Sequence, residues 1–168
     1  MLFKSLLTVL TLAASVIAAP TTTHTTGYAI VVNNLDQDLW VWSVDSQPHG
    51  PKLLPKKTRA GSAYTESYRY DPATGIAIKI ATKEDGLYSG GGVLQLAYTL
   101  NDKENSIYYD LSAVNQLDDF VKNNKLTVTG SPGTDAPTIV WDHVQTPPKP
   151  DTKAYHGDTV DLTLTIGS

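Results

Sequence analysis

The stretch GYAIVVNNLDQDLWVWSVD, residues 27–45, decides the fold. Two runs rich in β-branched and aromatic residues, Tyr28–Val32 and Leu39–Val44, flank a polar hinge at Asn33–Asp38. Such runs favour strands, and an Asn/Asp cluster between them favours a turn. One hinge residue is out of character: Leu35 is a large apolar side chain among Asn33, Asn34, Asp36, Gln37 and Asp38. What it packs against bears on the kind of protein this is.

The same grammar continues to the end of the chain. Further strands are expected at Ser62–Tyr70, Ile76–Thr82, Leu94–Leu100, Ser106–Leu111, Lys125–Thr129, Thr138–Trp141 and Thr159–Ile166. Ile76, Ile78 and Ile80 alternate with Ala77, Lys79 and Ala81, and Val160, Leu162, Leu164 and Ile166 alternate with Asp161, Thr163 and Thr165. Period-two patterning is what half-buried strands require, because successive side chains face opposite sides of a sheet. The breaks QPHGPKLLP, DPATG, EDGLYSGGG, LNDKEN, GSPGTDAP and TPPKPD are Gly, Pro, Asn and Asp clusters that read as turns. The expected fold is all-β, an antiparallel sandwich or barrel. At most one short helix is expected, over Ser112–Asn123 with Ser112 as its cap, and an irregular loop is the alternative there.

Residues 1–18 of MLFKSLLTVLTLAASVIAAP read as a secretory signal peptide, with Lys4, an apolar run and Val16 and Ala18 at the small-residue positions. Residues 19–26, containing TTTHTT, read as a flexible Thr-rich spacer that O-linked sugar can decorate, and residues 27–168 as one domain. Beyond the first segment no apolar run approaches membrane length, so a secreted, extracellular or wall-associated monomer with no membrane span is expected. The 168 residues contain no cysteine, so the domain relies on packing and hydrogen bonds alone. A net charge of −4 argues against a nucleic-acid partner. There is no Asn-x-Ser/Thr acceptor for N-linked sugar.

Chemistry-bearing motifs are sparse. Cysteine nucleophiles are excluded by composition, and neither a Gly-x-Ser-x-Gly elbow nor a phosphate-binding Gly-Lys-Ser/Thr loop occurs. His24, His49, His143 and His156 lack metal-ligand spacing, so neither a metal nor any other cofactor is expected. SGGG at 89–92 reads as a loop tip. A glycosidase needs two carboxyl groups about 5–10 Å apart. Asp110 is the best candidate, at a strand end after Tyr108 and Tyr109, with Glu66, Asp118 and Asp119 as conceivable partners. A lone Asp in such a place more often accepts backbone N–H groups. Trp40 and Trp42 share one strand face, and Tyr64, Tyr68 and Tyr70 recur on another; such rows either fill a core or stack on sugar rings.

Three stretches together, VVNNLDQDLWVWSVD, YRYDPATGIAIKI and LQLAYTLNDKENSIYYDLSAVN, with the terminal DLTLTIGS, resemble the Blastomyces yeast-phase-specific protein family, the small secreted antigenic thaumatin-like proteins of fungi. The resemblance covers nearly all of the chain after its first segment. It implies a thaumatin-like antiparallel β-sandwich. It also implies that the hinge position held by Leu35 carries a cysteine in the family, paired with one at the extreme C-terminus. Here Leu35 and Ile166-Gly167-Ser168 stand in those places, so the pair is lost together and Leu35 is expected to pack against the terminal strand. A disulfide closing so long a loop contributes about 2–5 kcal/mol.

Thaumatin-like proteins of plants carry an acidic cleft credited with binding or slowly cutting β-1,3-glucan. The resemblance places Ala97 where that cleft has a Glu, retains Asp110, and replaces the next cleft Asp by Asn115. One carboxylate cannot run a two-carboxylate mechanism. The expected function is therefore that of a non-catalytic secreted antigen. It would bind cell-wall polysaccharide such as β-glucan, or a host surface molecule, through Tyr108, Tyr109, Asp110 and Asn115. The alternatives are a weak β-1,3-glucanase built around Asp110, and an effector or inhibitor of a host protein.

Overall fold

The computed structural model describes residues 25–167. The signal-peptide reading and most of the spacer reading fall on residues 1–24, outside the described residues. Thr25 and Thr26, assigned above to the spacer, belong to the fold. Thr25 is buried and its hydroxyl donates to Gly157 O at 2.7 Å, while Thr26 N donates to Asp158 O at 2.8 Å.

The strands are β1 Tyr28–Asn33, β2 Leu39–Val44, β3 Pro48–Leu54, β4 Ala63–Ser67, β5 Ile76–Ala81, β6 Val93–Asn101, β7 Ser106–Val114, β8 Lys125–Gly130, β9 Ile139–Asp142, β10 Lys153–His156 and β11 Leu162–Ile166. One short helix, α1, spans Asp119–Lys122. A five-stranded sheet, in the order β4-β1-β11-β8-β9, packs on a six-stranded sheet in the order β10-β7-β6-β5-β2-β3. All named pairs are antiparallel except β1 with β11, which run parallel and join the two ends of the domain.

The alternating strands behave as their patterns require. Ile76, Ile78 and Ile80 of β5 and Leu162, Leu164 and Ile166 of β11 face each other's sheets and are almost fully buried. With Ala29 and Val31, Leu94 and Leu96, and Leu126 and Val128 they form the core between the sheets. Trp40 and Trp42 do share a face, but it is the opposite one. Trp42 packs with Ala81 and Val93 in a small second cluster on the outer side of the six-stranded sheet, flanked by Trp40, Val44 and Leu87.

Three readings are corrected. QPHGPKLLP is not a turn but contains β3; TPPKPD is a loop as expected, but it is followed by a strand that was not expected, β10. Both are edge strands of the six-stranded sheet. An edge needs hydrogen bonds on one side only and tolerates proline. β3 is exposed along nearly its whole length and its ladder with β2 shifts register between Val41 and Ser43. The helix does not start at Ser112, which lies inside β7; Asp118 caps it, accepting from Phe120 N.

Leu35 is buried and belongs to the core. Asn34 N donates to Ile166 O at 2.9 Å, and a Cβ placed on Gly167 would lie 2.6 Å from Leu35 Cδ2. The hinge residue thus packs on the terminal strand. Asn33, fully buried, shapes the hinge: its Nδ2 donates to the carbonyls of Gln37, Leu54 and Pro55 and its Oδ1 accepts from Leu35 N.

Candidate functional site

β7 supplies the residues singled out in the sequence, and its pleat separates them. Successive side chains of a strand point to opposite faces. Ile107, Tyr109 and Leu111 therefore enter the core, while Tyr108, Asp110, Ser112 and Val114 face outward. Tyr109 is 1% exposed and donates its hydroxyl to Pro137 O. Burial pushes its phenol up to about 12. Its work is to fill and close the core, and its ring is not offered to a ligand.

Tyr108 and Asp110 do come together on the outer face. They line a shallow depression of about 180 Å³ with Ala97, Tyr98, Thr99, Tyr109 and Thr152. Asp110 also borders a second depression of about 160 Å³ that reaches Val140, Pro148, Lys149 and Asp151. Tyr108 donates its hydroxyl to Glu104 Oε2 at 2.8 Å, which raises its pKa, and its ring meets His156 edge-on at 6.4 Å. Asn115 lies elsewhere. It sits just past the end of β7 in the left-handed region, φ 69°, and its Nδ2 donates to Gly91 O at 3.1 Å. It tethers the SGGG loop beside a polar cavity of about 270 Å³ lined by Gly91, Gly92, Asp118 and Lys122 among others. Tyr108 and Asp110 line one depression, Tyr109 borders it while its ring is buried in the core, and Asn115 lies apart from it.

Two further carboxylates lie at the margin of this face, Glu104 on the Tyr108 hydroxyl and Asp151 in the depression that Asp110 borders. In the register of the six-stranded sheet, Ala97 is the residue directly opposite Asp110. The other outward positions on β7, β6, β5 and β2 carry no acid; Lys79 and Gln95 occupy the middle of that face. Asp151 is paired with Lys153 at 2.7 Å. Asp118 caps α1 and accepts from Thr82 Oγ1 at 3.2 Å. Glu66 lies on the opposite side of the six-stranded sheet from Asp110, because it accepts from Tyr98, whose ring is in the core.

Glu66 belongs to a polar cluster that sequence reasoning missed. Its carboxylate accepts from Tyr64 Oη at 2.8 Å and Tyr98 Oη at 3.1 Å. Arg69 donates to Asp45 Oδ2 at 2.7 Å and Ser43 Oγ at 2.5 Å. Asp45 also accepts from Gln47 N at 2.8 Å and pairs with His49 at 3.0 Å. The Gln47 amide, with help from Arg69 and His49, holds the Asp45 carboxyl well below its usual range, at about 2. Burial and the Glu66 carboxylate push the phenols of Tyr64 and Tyr98 far up. These groups satisfy one another, and they stitch β4 of one sheet to β2 of the other. Only their pairing in space defines the cluster, and no local motif announces it.

A larger cavity, about 650 Å³, opens where β1 and β11 begin. Thr26, Tyr28, Tyr68, Tyr70, Leu100, Thr159 and Asp161 contribute to its lining. Among the described residues, no group of three or more His, Cys, Asp or Glu side chains is arranged to hold a metal ion.

This geometry defines the class: a two-sheet thaumatin-like β-sandwich in which Asp110 is the one acid at the outward positions of β2, β5, β6 and β7. The chain belongs to the Blastomyces yeast-phase-specific protein family, whose sequence profile it matches over residues 16–168. It is 34% identical over 111 residues to the secreted thaumatin-like protein calA of Emericella nidulans, a match covering 66% of this chain and 59% of that relative. The match therefore spans less than two thirds of the relative's length. Among solved structures it is similar to the protein elicitor MoHrip2 of Magnaporthe oryzae, with a TM-score of 0.62 and 17% identity over 84% of this chain and 99% of that one. At that identity the likeness is one of fold.

Proposed function

We propose that this chain is a secreted, non-catalytic thaumatin-like protein that binds cell-wall polysaccharide through the outer face around Tyr108 and Asp110. The observation that supports the reading is the pairing of Asp110 with Ala97, with no second acid at the outward positions of β2, β5, β6 and β7. A glycosidase divides its work between two carboxyl groups, one giving a proton and one attacking or activating water. A single carboxylate beside an aromatic ring can instead accept hydroxyl groups while the ring covers the apolar side of a sugar. Two open depressions flank Asp110, which suits an extended polymer lying along the sheet better than an enclosed small molecule.

Co-sedimentation of the purified protein with insoluble β-1,3-glucan and with chitin tests this. Retention in the pellet that Asp110→Ala and Tyr108→Ala both weaken is the expected result. A protein that stays in the supernatant with both polymers would turn the search to a host surface molecule.

A further inference from the structure

We infer that β4 is a self-pairing edge: it takes the β4 of a second copy of this chain, antiparallel, which makes the protein a symmetric dimer in place of the expected monomer. The inference does not rest on the Asp110 reading, because β4 ends the other sheet. The hydrogen-bond phase of the β1–β4 ladder is fixed at both ends. Asn33 N donates to Ser62 O at 2.8 Å, and Tyr68 N donates to Gly27 O at 3.0 Å. In an antiparallel ladder, bonded and non-bonded pairs alternate. Ser62, Tyr64, Glu66 and Tyr68 therefore turn their N–H and C=O groups to β1. Ala63, Thr65 and Ser67 turn theirs the other way, to the side where the sheet has no further strand.

An open row of backbone donors and acceptors is a template for another strand, and proteins usually guard it. The other sheet edges here are guarded. β3 carries Pro48 and Pro51 and a shifted register, and β9 and β10 are short, with Asp142 in one and Lys153 in the other. β4 has no proline, no lysine and no register shift. Its one charge, Glu66, points inward, where Tyr64 and Tyr98 donate to it. Its exposed side chains, Ala63, Thr65 and Ser67, are small and neutral. They lie beside Val32, Ile30 and Tyr28, so the edge is flanked by uncharged side chains. The occupant follows from the register. Two copies of β4 centred on Thr65 set Thr65 against Thr65 and Ala63 against Ser67. These are the residues whose backbone groups face the open side, so every such pair is of the bonded kind and exchanges both of its N–H···O bonds. Tyr64 then lies opposite Glu66, and no like charges meet along the strand. Paired residues share a face, so both six-stranded sheets fall on the same side of the joined sheet. Both Tyr108–Asp110 faces then point the same way, the geometry that two-point attachment to one polymer requires.

The test is sedimentation velocity of the purified protein from about 1 µM to about 1 mM, the range in which a seam one strand wide, smaller than a standard interface, should associate. Monomer should give way to dimer across that range. Thr65→Lys sets two like charges against each other at the centre of the seam, and Thr65→Pro removes the central N–H without touching the ladder to β1. Each should weaken association by about tenfold or more, whereas Thr65→Val should keep it. Circular dichroism and a Tm close to the parent's establish that the variants fold. Amide hydrogen exchange locates the seam: Ala63, Thr65 and Ser67 should gain protection as concentration rises, while Tyr64 and Glu66, already bonded to β1, should change little. A chain that stays monomeric to about 1 mM overturns the inference and leaves the edge to a strand of another protein. Association that both Thr65→Lys and Thr65→Pro leave intact, or protection that rises elsewhere and not at these three amides, overturns it as well.

Discussion

Replacing Leu35 by alanine isolates the contact that stands in the place of a cross-link. The side chain is 8% exposed, so its three outer carbons are almost entirely out of water. At about 0.8 kcal/mol per buried carbon the transfer loss is about 2.4 kcal/mol. The space left beside Gly167 adds to this, but Leu35 also borders an open cavity of about 370 Å³ with Phe120 and Asn124, which water can enter. The total should be about 3 kcal/mol, at the lower end of the range for Leu→Ala in cores. For a domain of this size that corresponds to a fall in Tm of about 6–12 °C. Calorimetry and urea unfolding followed by tryptophan fluorescence measure it, and the urea dependence should keep its slope. Leu53→Ala is the control: Leu53 is 40% exposed on an edge strand and should cost less than about 1 kcal/mol. A Leu35→Ala loss no larger than the control's would refute the claim that the hinge is anchored to the terminal strand.

Asn33→Ala should destabilise by about 3 kcal/mol by urea unfolding, because it strands buried carbonyls of Leu54 and Pro55 and the Leu35 amide without their partner. The Asp45 carboxyl titrates at about 2 in the folded protein against 3.8 for the free group. Its contribution is therefore fully present above about pH 4 and lost as pH falls toward 2; Asp45→Asn should flatten that limb of a Tm-versus-pH curve. At the other extreme Tyr109 titrates at about 12 against 10.0. The unfolded chain loses this proton first, so stability should fall as pH rises from about 10 to 12, and Tyr109→Phe should reduce the slope of that fall. Chemical unfolding at a series of alkaline pH values reads this directly.

The central strands were legible because burial on one face forces a period of two: β2 matches its predicted bounds and β5 differs by one residue. β3 and β10 were not, because an exposed edge strand has no buried face to leave a pattern, and Pro48, Gly50 and Pro51 speak locally for a turn. The helix was placed too early because Val114, Leu117 and Val121 recur at helical spacing, whereas the long ladder of β7 with β6 claims Ser112 to Val114 for the sheet. Part of the site could have been read more closely. Tyr108 and Tyr109 are neighbours in a strand, so only one of them can face a cleft. The cluster of Asp45, Glu66 and Arg69 and the cavity at Tyr28 and Asp161 depend on pairings between distant segments, above all the parallel β1–β11 pair, and alternation within one strand carries no trace of them.

The claim that Asp110 works alone is tested most directly by incubating the purified protein with β-1,3-glucan and measuring reducing ends over time. An Asp110 without an acid opposite it on the sheet predicts no release above the blank while the protein remains bound to the polymer. Steady release that Asp110→Ala abolishes would contradict the account and show that a second acid reaches Asp110 during the reaction.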